Sequence, residues 1–136
     1  MVRVIMHGCN GRMGQVITEM IAKEAEMEIV AGVDVSDSVH NTYPVFKTLK
    51  DCDVEADVVI DFANAKAVDG LLDVCVERNL PCVLCTTGLS EEQLAHVKEA
   101  SGKVAILRSA NMSMGINLLM KLLKDAVPVL AAAGYD

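Results

Sequence analysis

The sequence of 136 residues contains no tryptophan, two tyrosines and two phenylalanines, so aromatics make up only 3% of it. Little surface is left for stacking on exposed nucleic-acid bases. Basic residues are also scarce: 12 Lys and Arg against 19 Asp and Glu give a net charge of −7. A nucleic-acid or anionic-membrane partner needs a basic face, which argues against both. No apolar run is long enough to cross a bilayer; Ala126–Ala133 is far too short and contains Pro128. The N-terminal apolar run is interrupted by Arg3, His7 and Arg12 and does not read as a secretory signal. Five cysteines, an odd number in mostly apolar surroundings, fit the reduced core thiols of a cytoplasmic protein.

Metal and redox sites lack their context too. Cys82 and Cys85 form a Cys-x-x-Cys, but Pro81-Cys82-Val83-Leu84-Cys85 reads as a buried strand. A redox pair should open a helix, and a zinc site needs a second pair or nearby histidines. His7, His40 and His96 share no ligand-like spacing, so no metal is expected. His7 stands in the glycine loop, within reach of a ligand, whereas His40 and His96 read as surface residues.

What is present is concentrated at the amino terminus. The strand-like Val2–Met6 runs into glycines at 8, 11 and 14, and a helical pattern follows from Arg12 to about Ala25. The next apolar run, Glu28–Val33, ends on an acid, Asp34. This is the order of a dinucleotide-binding βαβ unit, with Gly-x-x-Gly-x-x-Gly in place of Gly-x-Gly-x-x-Gly. Gly8 lets the chain turn sharply, Gly11 lets backbone approach a pyrophosphate, and Gly14 lets helix and strand pack closely. The helix N-terminus then faces the phosphates, and Asp34 is placed to accept from a ribose 2′-OH. A glycine-rich turn that binds nothing would not need strand, helix and acid in this order.

Downstream, strands and helices alternate. Strand patterns cover Val58–Phe62, Cys82–Cys85 and Val104–Leu107. Helical patterns run from Asn64 to about Asn79, from the capping box Ser90-Glu91-Glu92-Gln93 to Ser101, and from Met114 until Pro128 ends or kinks it. Met6, Met13, Met20 and Met27 recur every seventh residue, but Met6 belongs to a strand, so core packing is the better reading. The polar stretch Val35–Tyr43 reads as a mobile loop beside the ribose, and Val45–Cys52 is ambiguous. The alternation predicts an α/β Rossmann-type, doubly wound parallel sheet in a single domain, residues 1–136. In such a sheet a ligand lies across the carboxyl ends of the strands. Those ends are Gly8–Gly14, Asp34, Asp61–Asn64, Cys85–Gly88 and Ser109–Ser113.

Gly11-Arg12-Met13-Gly14, Asp61-Phe62, Thr86-Thr87-Gly88 and Ser109-Ala110-Asn111-Met112-Ser113-Met114-Gly115-Ile116-Asn117, in this order and spacing, resemble the amino-terminal domain of the dihydrodipicolinate (4-hydroxy-tetrahydrodipicolinate) reductase family. The resemblance covers essentially the whole chain. It implies an NADH- or NADPH-dependent oxidoreductase of the diaminopimelate route to lysine. It also implies that Gly8, Cys9, Asn10, Gly11, Arg12 and Met13 hold the pyrophosphate, and that Asp34 binds the adenine-side ribose. Cys85, Thr86, Thr87, Ser109, Ala110, Asn111 and Met112 would line the nicotinamide side. The chain departs from the family's usual pattern at Cys85 (usually Gly), at Ser109 and Met112 (usually Ala and Phe), and at Ala63-Asn64.

The family's His-His, Lys and Ser-Gly-Thr segment, which carries proton donation and dicarboxylate binding, is absent from these 136 residues. The expectation is therefore a cofactor domain truncated before the substrate domain, with no catalytic residue of its own, and inactive alone. The dicarboxylate substrate and the homotetramer implied for the full-length protein would need the other domain. Two other readings share the glycine loop: a nucleotide- or CoA-sensing module, and another two-domain amino-acid dehydrogenase. Asp34 followed by Val35-Ser36-Asp37-Ser38, with no cation, predicts a preference for NADH over NADPH, leaving Arg12 as the nearby cation that could admit NADPH.

Overall fold

The computed structural model describes residues 1–135. Six strands form one sheet: β1 (Val2–His7), β2 (Met27–Val33), β3 (Val45–Phe46), β4 (Val58–Asp61), β5 (Cys82–Leu84) and β6 (Ile106–Arg108). Their order is β3-β2-β1-β4-β5-β6, and every pair is parallel. Parallel neighbours require crossovers, and the crossovers carry α1 (Arg12–Ile21), α2 (Val68–Glu77) and α3 (Glu91–Ser101); α4 (Met114–Ala132) follows β6. The chain proceeds outward from β1 to β3 and then returns to β4 on the other side of β1. That reversal makes the switch point of a doubly wound sheet, where a crevice opens at the strand ends.

Successive residues of β1 serve opposite faces. Ile5 joins Val59, Leu71, Leu72 and Leu84 in the larger core, beneath α2 and α3. Met6 joins Cys9 and Tyr43 in a smaller one, with Ile17 of α1 against it. Gly32 makes the second core possible. A Cβ there would lie 2.6 Å from Cys9 Sγ and 2.7 Å from Tyr43 Cε2.

The capping box forms as expected: Ser90 Oγ accepts from the Gln93 N–H, and Gln93 Oε1 accepts from the Ser90 N–H. Other boundaries differ. Asn64 caps a short 3₁₀ turn, Ala65–Ala67, before α2 begins. Asn64 Oδ1 accepts the Lys66 N–H, which favours the tighter turn. Pro128 does not end α4, which runs on to Ala132. The ring removes one N–H donor, and hydrogen bonding resumes beyond it, where Ala133 donates to Val129 O. The ambiguous segment resolves into two-residue β3 and a 3₁₀ turn, Leu49–Asp51, capped by Thr48. The side chains of α4 are exposed throughout, Leu118, Leu122 and Leu123 each by more than half. No helix among the described residues is long and apolar enough to cross a membrane.

Candidate dinucleotide site

The glycine loop is built as the spacing predicts. Gly8 has φ +82°, a conformation that side chains disfavour, and a Cβ there would meet Phe62 O at 2.7 Å. At Gly14 a Cβ would lie 2.2 Å from Gly8 O, so α1 packs directly on the loop backbone. Gly11 is different: the nearest atom to a Cβ is Gly8 O at 3.3 Å, and the side away from the loop is open. The loop itself is braced by Gln15, whose Nε2 donates to Cys9 O at 2.7 Å.

The loop N–H groups divide into two sets. Those of Gly8 and Cys9 donate to Val33 O, and that of Gly11 donates to Gly8 O. The Asn10 N–H donates to Asp34 Oδ2 at 2.9 Å. Intrahelical bonding starts with Gln15 N–H to Gly11 O, so Arg12, Met13 and Gly14 are left with N–H groups that have no helical acceptor. Arg12 and Met13, exposed at the positive end of α1, are the candidates to donate to an anion, whereas Gly14 is buried.

Asp34 follows β2 at the same carboxyl end of the sheet as the glycine loop. Its two carboxylate oxygens are held by the Asn10 N–H and the Ser36 N–H, each at 2.9 Å. Lone pairs remain on both oxygens to accept hydroxyl protons. The loop after Asp34 is tied down as well. Asn10 Nδ2 donates to Ser36 O at 2.5 Å, and Asn41 Nδ2 donates to Asn10 Oδ1 at 2.7 Å. The side chain of Asn10 therefore joins the glycine loop to the ribose loop.

A cavity of about 230 Å³ lies at these strand ends, walled by Gly8, Gly11, Asp34, Val35, Lys47 and Asn64 among others. A second of about 450 Å³ adjoins it, sharing His7, Val35, Lys47 and Ala67. Gly11 and the anchored Asp34 carboxylate wall the first cavity, and the N-terminus of α1 follows directly after Gly11: an arrangement that fits an anionic dinucleotide, with helix N–H donors for phosphate and an acceptor for ribose. The remaining candidates sit elsewhere. Cys85 and Thr86 are buried after β5, Thr87 is exposed, and Ser109–Met112 follow β6 at the sheet edge. None of them walls either cavity. Asn111 Oδ1 accepts the Ser113 N–H at 2.7 Å, at the start of α4.

The thiols lie in the interior. Burial pushes the Cys9 thiol up to about 11, with the Asp34 charge adding to it. Burial and the charge of Asp61 push Cys85 to about 11. Cys82 is raised by its contact with Cys75 and by burial. All five cysteines are free and buried, and no metal-holding cluster exists among the described residues.

Two features were not visible in the sequence. His7 is the last residue of β1, is 6% exposed, and its Nδ1 lies 2.6 Å from Oδ1 of fully buried Asp61. The two residues are register partners on β1 and β4, so their meeting is a product of sheet pairing. Asp61 Oδ2 and Thr86 Oγ1 are buried without partners among the described residues. Second, Lys47 joins the cavity wall and Arg12 does not. Lys47 directly follows β3, where the Asp34 N–H donates to Phe46 O, so it walls the same cavity as Asp34. His96, expected at the surface, is half-buried between Asp69 and Asp73, at 2.8 and 3.4 Å.

Fold and site together define a nucleotide-binding Rossmann domain. The family described as "Dihydrodipicolinate reductase, N-terminus" matches residues 2–112, and the chain belongs to that family. It is 48% identical over 136 residues to the 4-hydroxy-tetrahydrodipicolinate reductase of Caldanaerobacter subterraneus subsp. tengcongensis, covering 100% of this chain and 53% of that protein. It is 46% identical over 125 residues to the enzyme of the same name from Clostridium tetani, covering 92% and 49%. Among solved structures it resembles dipicolinate-bound dihydrodipicolinate reductase from Paenisporosarcina sp. TG-14. The TM-score is 0.81 at 27% identity, over 93% of this chain and 53% of that one. The chain thus spans about half the length of the relatives it matches.

Proposed function

We propose that residues 1–136 are the NAD(P)H-binding half of a cytoplasmic reductase acting on a dihydrodipicolinate-type dicarboxylate in lysine biosynthesis. The observation that carries this reading is the strand-end crevice, where Gly11, directly before the N-terminus of α1, and a carboxylate pinned by two backbone N–H groups wall one cavity. In this reading Gly8–Met13 form the pyrophosphate cradle, with Gly11 giving close approach. Asp34 accepts from the adenine-side ribose hydroxyls. Cys85, Thr86, Thr87, Ser109, Ala110, Asn111 and Met112 border the nicotinamide side. The bound cofactor supplies a hydride; the chain's residues bind and orient it.

Catalysis requires the other half of the relatives' length, which in this reading supplies the proton donor, the dicarboxylate site and the tetramer contacts. Exposed leucines along α4 support a second packing layer there. Asp34 favours NADH, because a 2′-phosphate would bring like charge against it. Calorimetry of the chain with NADH should give one weak site per chain, and steady-state oxidation of NADH with the dicarboxylate precursor should give no turnover above background. Absence of binding, or substantial turnover by residues 1–136, would refute the reading.

A further inference from the structure

Lys47 is a cation at the ribose end of the cavity that no local sequence pattern indicates. Hydrogen bonding of the Asp34 N–H to Phe46 O sets residue 47 beside the acid. The Lys47 ammonium donates to Val35 O at 3.1 Å and pairs with Asp37. It walls the same cavity as Asp34, Gly8 and Gly11. Its pairing is loosely held, since the side chains of Lys47 and Asp37 are 54% and 82% exposed. Ion pairs so exposed contribute little and exchange readily.

Resting on the dinucleotide reading, we propose that Lys47 determines cofactor tolerance: its ammonium leaves Asp37 and binds the 2′-phosphate of NADPH. A phosphate dianion offers more charge and more acceptor oxygens than the Asp37 carboxylate. The exchange offsets the repulsion from Asp34 without moving the carboxylate, which its two backbone N–H bonds hold in place. NADH offers hydroxyls there, and Lys47 stays with Asp37. One side chain thus lets a site built around an acid accept both dinucleotides. Asp37 competes with the phosphate for the same ammonium, so it acts as an internal brake on NADPH binding.

The test titrates NADH and NADPH into the chain and into Lys47→Ala, Lys47→Gln and Asp37→Asn variants at low and physiological salt. Loss of a charge-assisted contact should weaken NADPH by about tenfold in both Lys47 variants and change NADH less than about twofold. Asp37→Asn should tighten NADPH selectively, by about threefold, and leave NADH unchanged. The salt dependence of NADPH binding should shrink in Lys47→Gln. Equal losses for both cofactors, or unchanged NADPH binding in the Lys47 variants, would overturn the assignment to Lys47 while leaving the dinucleotide reading intact. Failure of the unsubstituted chain to bind either cofactor would overturn both.

Discussion

Removing the imidazole of His7 should be among the most damaging single changes in this chain. Asp61 is fully buried, and its Oδ1 is served by His7 Nδ1 at 2.6 Å and by the Ala63 N–H at 3.2 Å. Its Oδ2 has no partner among the described residues. In His7→Leu the carboxylate would keep one backbone donor for two buried oxygens. Leaving a buried carboxylate without its side-chain hydrogen-bond partner costs about 1–3 kcal/mol or more, whereas an exposed pair is worth about 0–1 kcal/mol. Against a total stability of about 5–15 kcal/mol for a domain, the loss is a large share. Asp61→Asn removes the charge yet keeps an acceptor for the Ala63 N–H, so it should cost less, about 1–2 kcal/mol. Urea unfolding at neutral pH of the two single variants and the double variant forms a cycle, and His7 and Asp61 should couple by about 2 kcal/mol or more. A His7→Leu loss below about 1 kcal/mol, with no coupling, would refute the argument that burial makes this pair matter.

At Gly14 a Cβ would press 2.2 Å from Gly8 O, a backbone atom that cannot swing aside. Gly14→Ala should therefore destabilise by about 1–3 kcal/mol and weaken cofactor binding through displacement of α1, as read by urea melts and NADH titration. A fully stable Gly14→Ala protein would contradict the packing described. The thiols predict a pH dependence. Cys9 and Cys85 are raised from 9.0 to about 11 in the folded chain, so the folded state favours their neutral form. Their contribution is complete below pH 9 and is lost as pH rises through 11, because the unfolded thiols ionise first. The urea midpoint should fall over that window, less so in Cys9→Ala, and folded thiols should resist alkylation at pH 8. Rapid alkylation of the native chain would sink this point.

The legible parts of the molecule were those encoded locally. The glycines at 8, 11 and 14 each carry their own steric reason, and Ser90 and Gln93 lie within one helical turn of one another. The alternation of apolar strands with helices sufficed for a parallel sheet. Contacts between distant segments escaped, because sheet register creates them. His7 and Asp61 are 54 residues apart and meet only as neighbours across β1 and β4. Lys47 reaches Val35 O only because β3 pairs with β2, and β3 has just two residues, too few for any periodic signal. The stretch Val35–Tyr43 reads as a mobile loop from its polar composition, which does not indicate that the Ser36 carbonyl and the Asn41 amide hydrogen-bond the Asn10 side chain. Pro128, expected to end or kink α4, does not end it, since a single missing N–H does not outweigh the bonds on either side of it.

Gly11 offers the most direct test of the cofactor cradle. A Cβ there meets only Gly8 O, at 3.3 Å, so a side chain should be accommodated by the fold, whereas the space it fills is the one assigned to pyrophosphate. Calorimetric titration of NADH into the unsubstituted chain and into Gly11→Val, both checked for cooperative unfolding, isolates that space. The account predicts binding to the first and none detectable to the second. Unchanged NADH affinity in a folded Gly11→Val protein would contradict it and place the phosphates elsewhere.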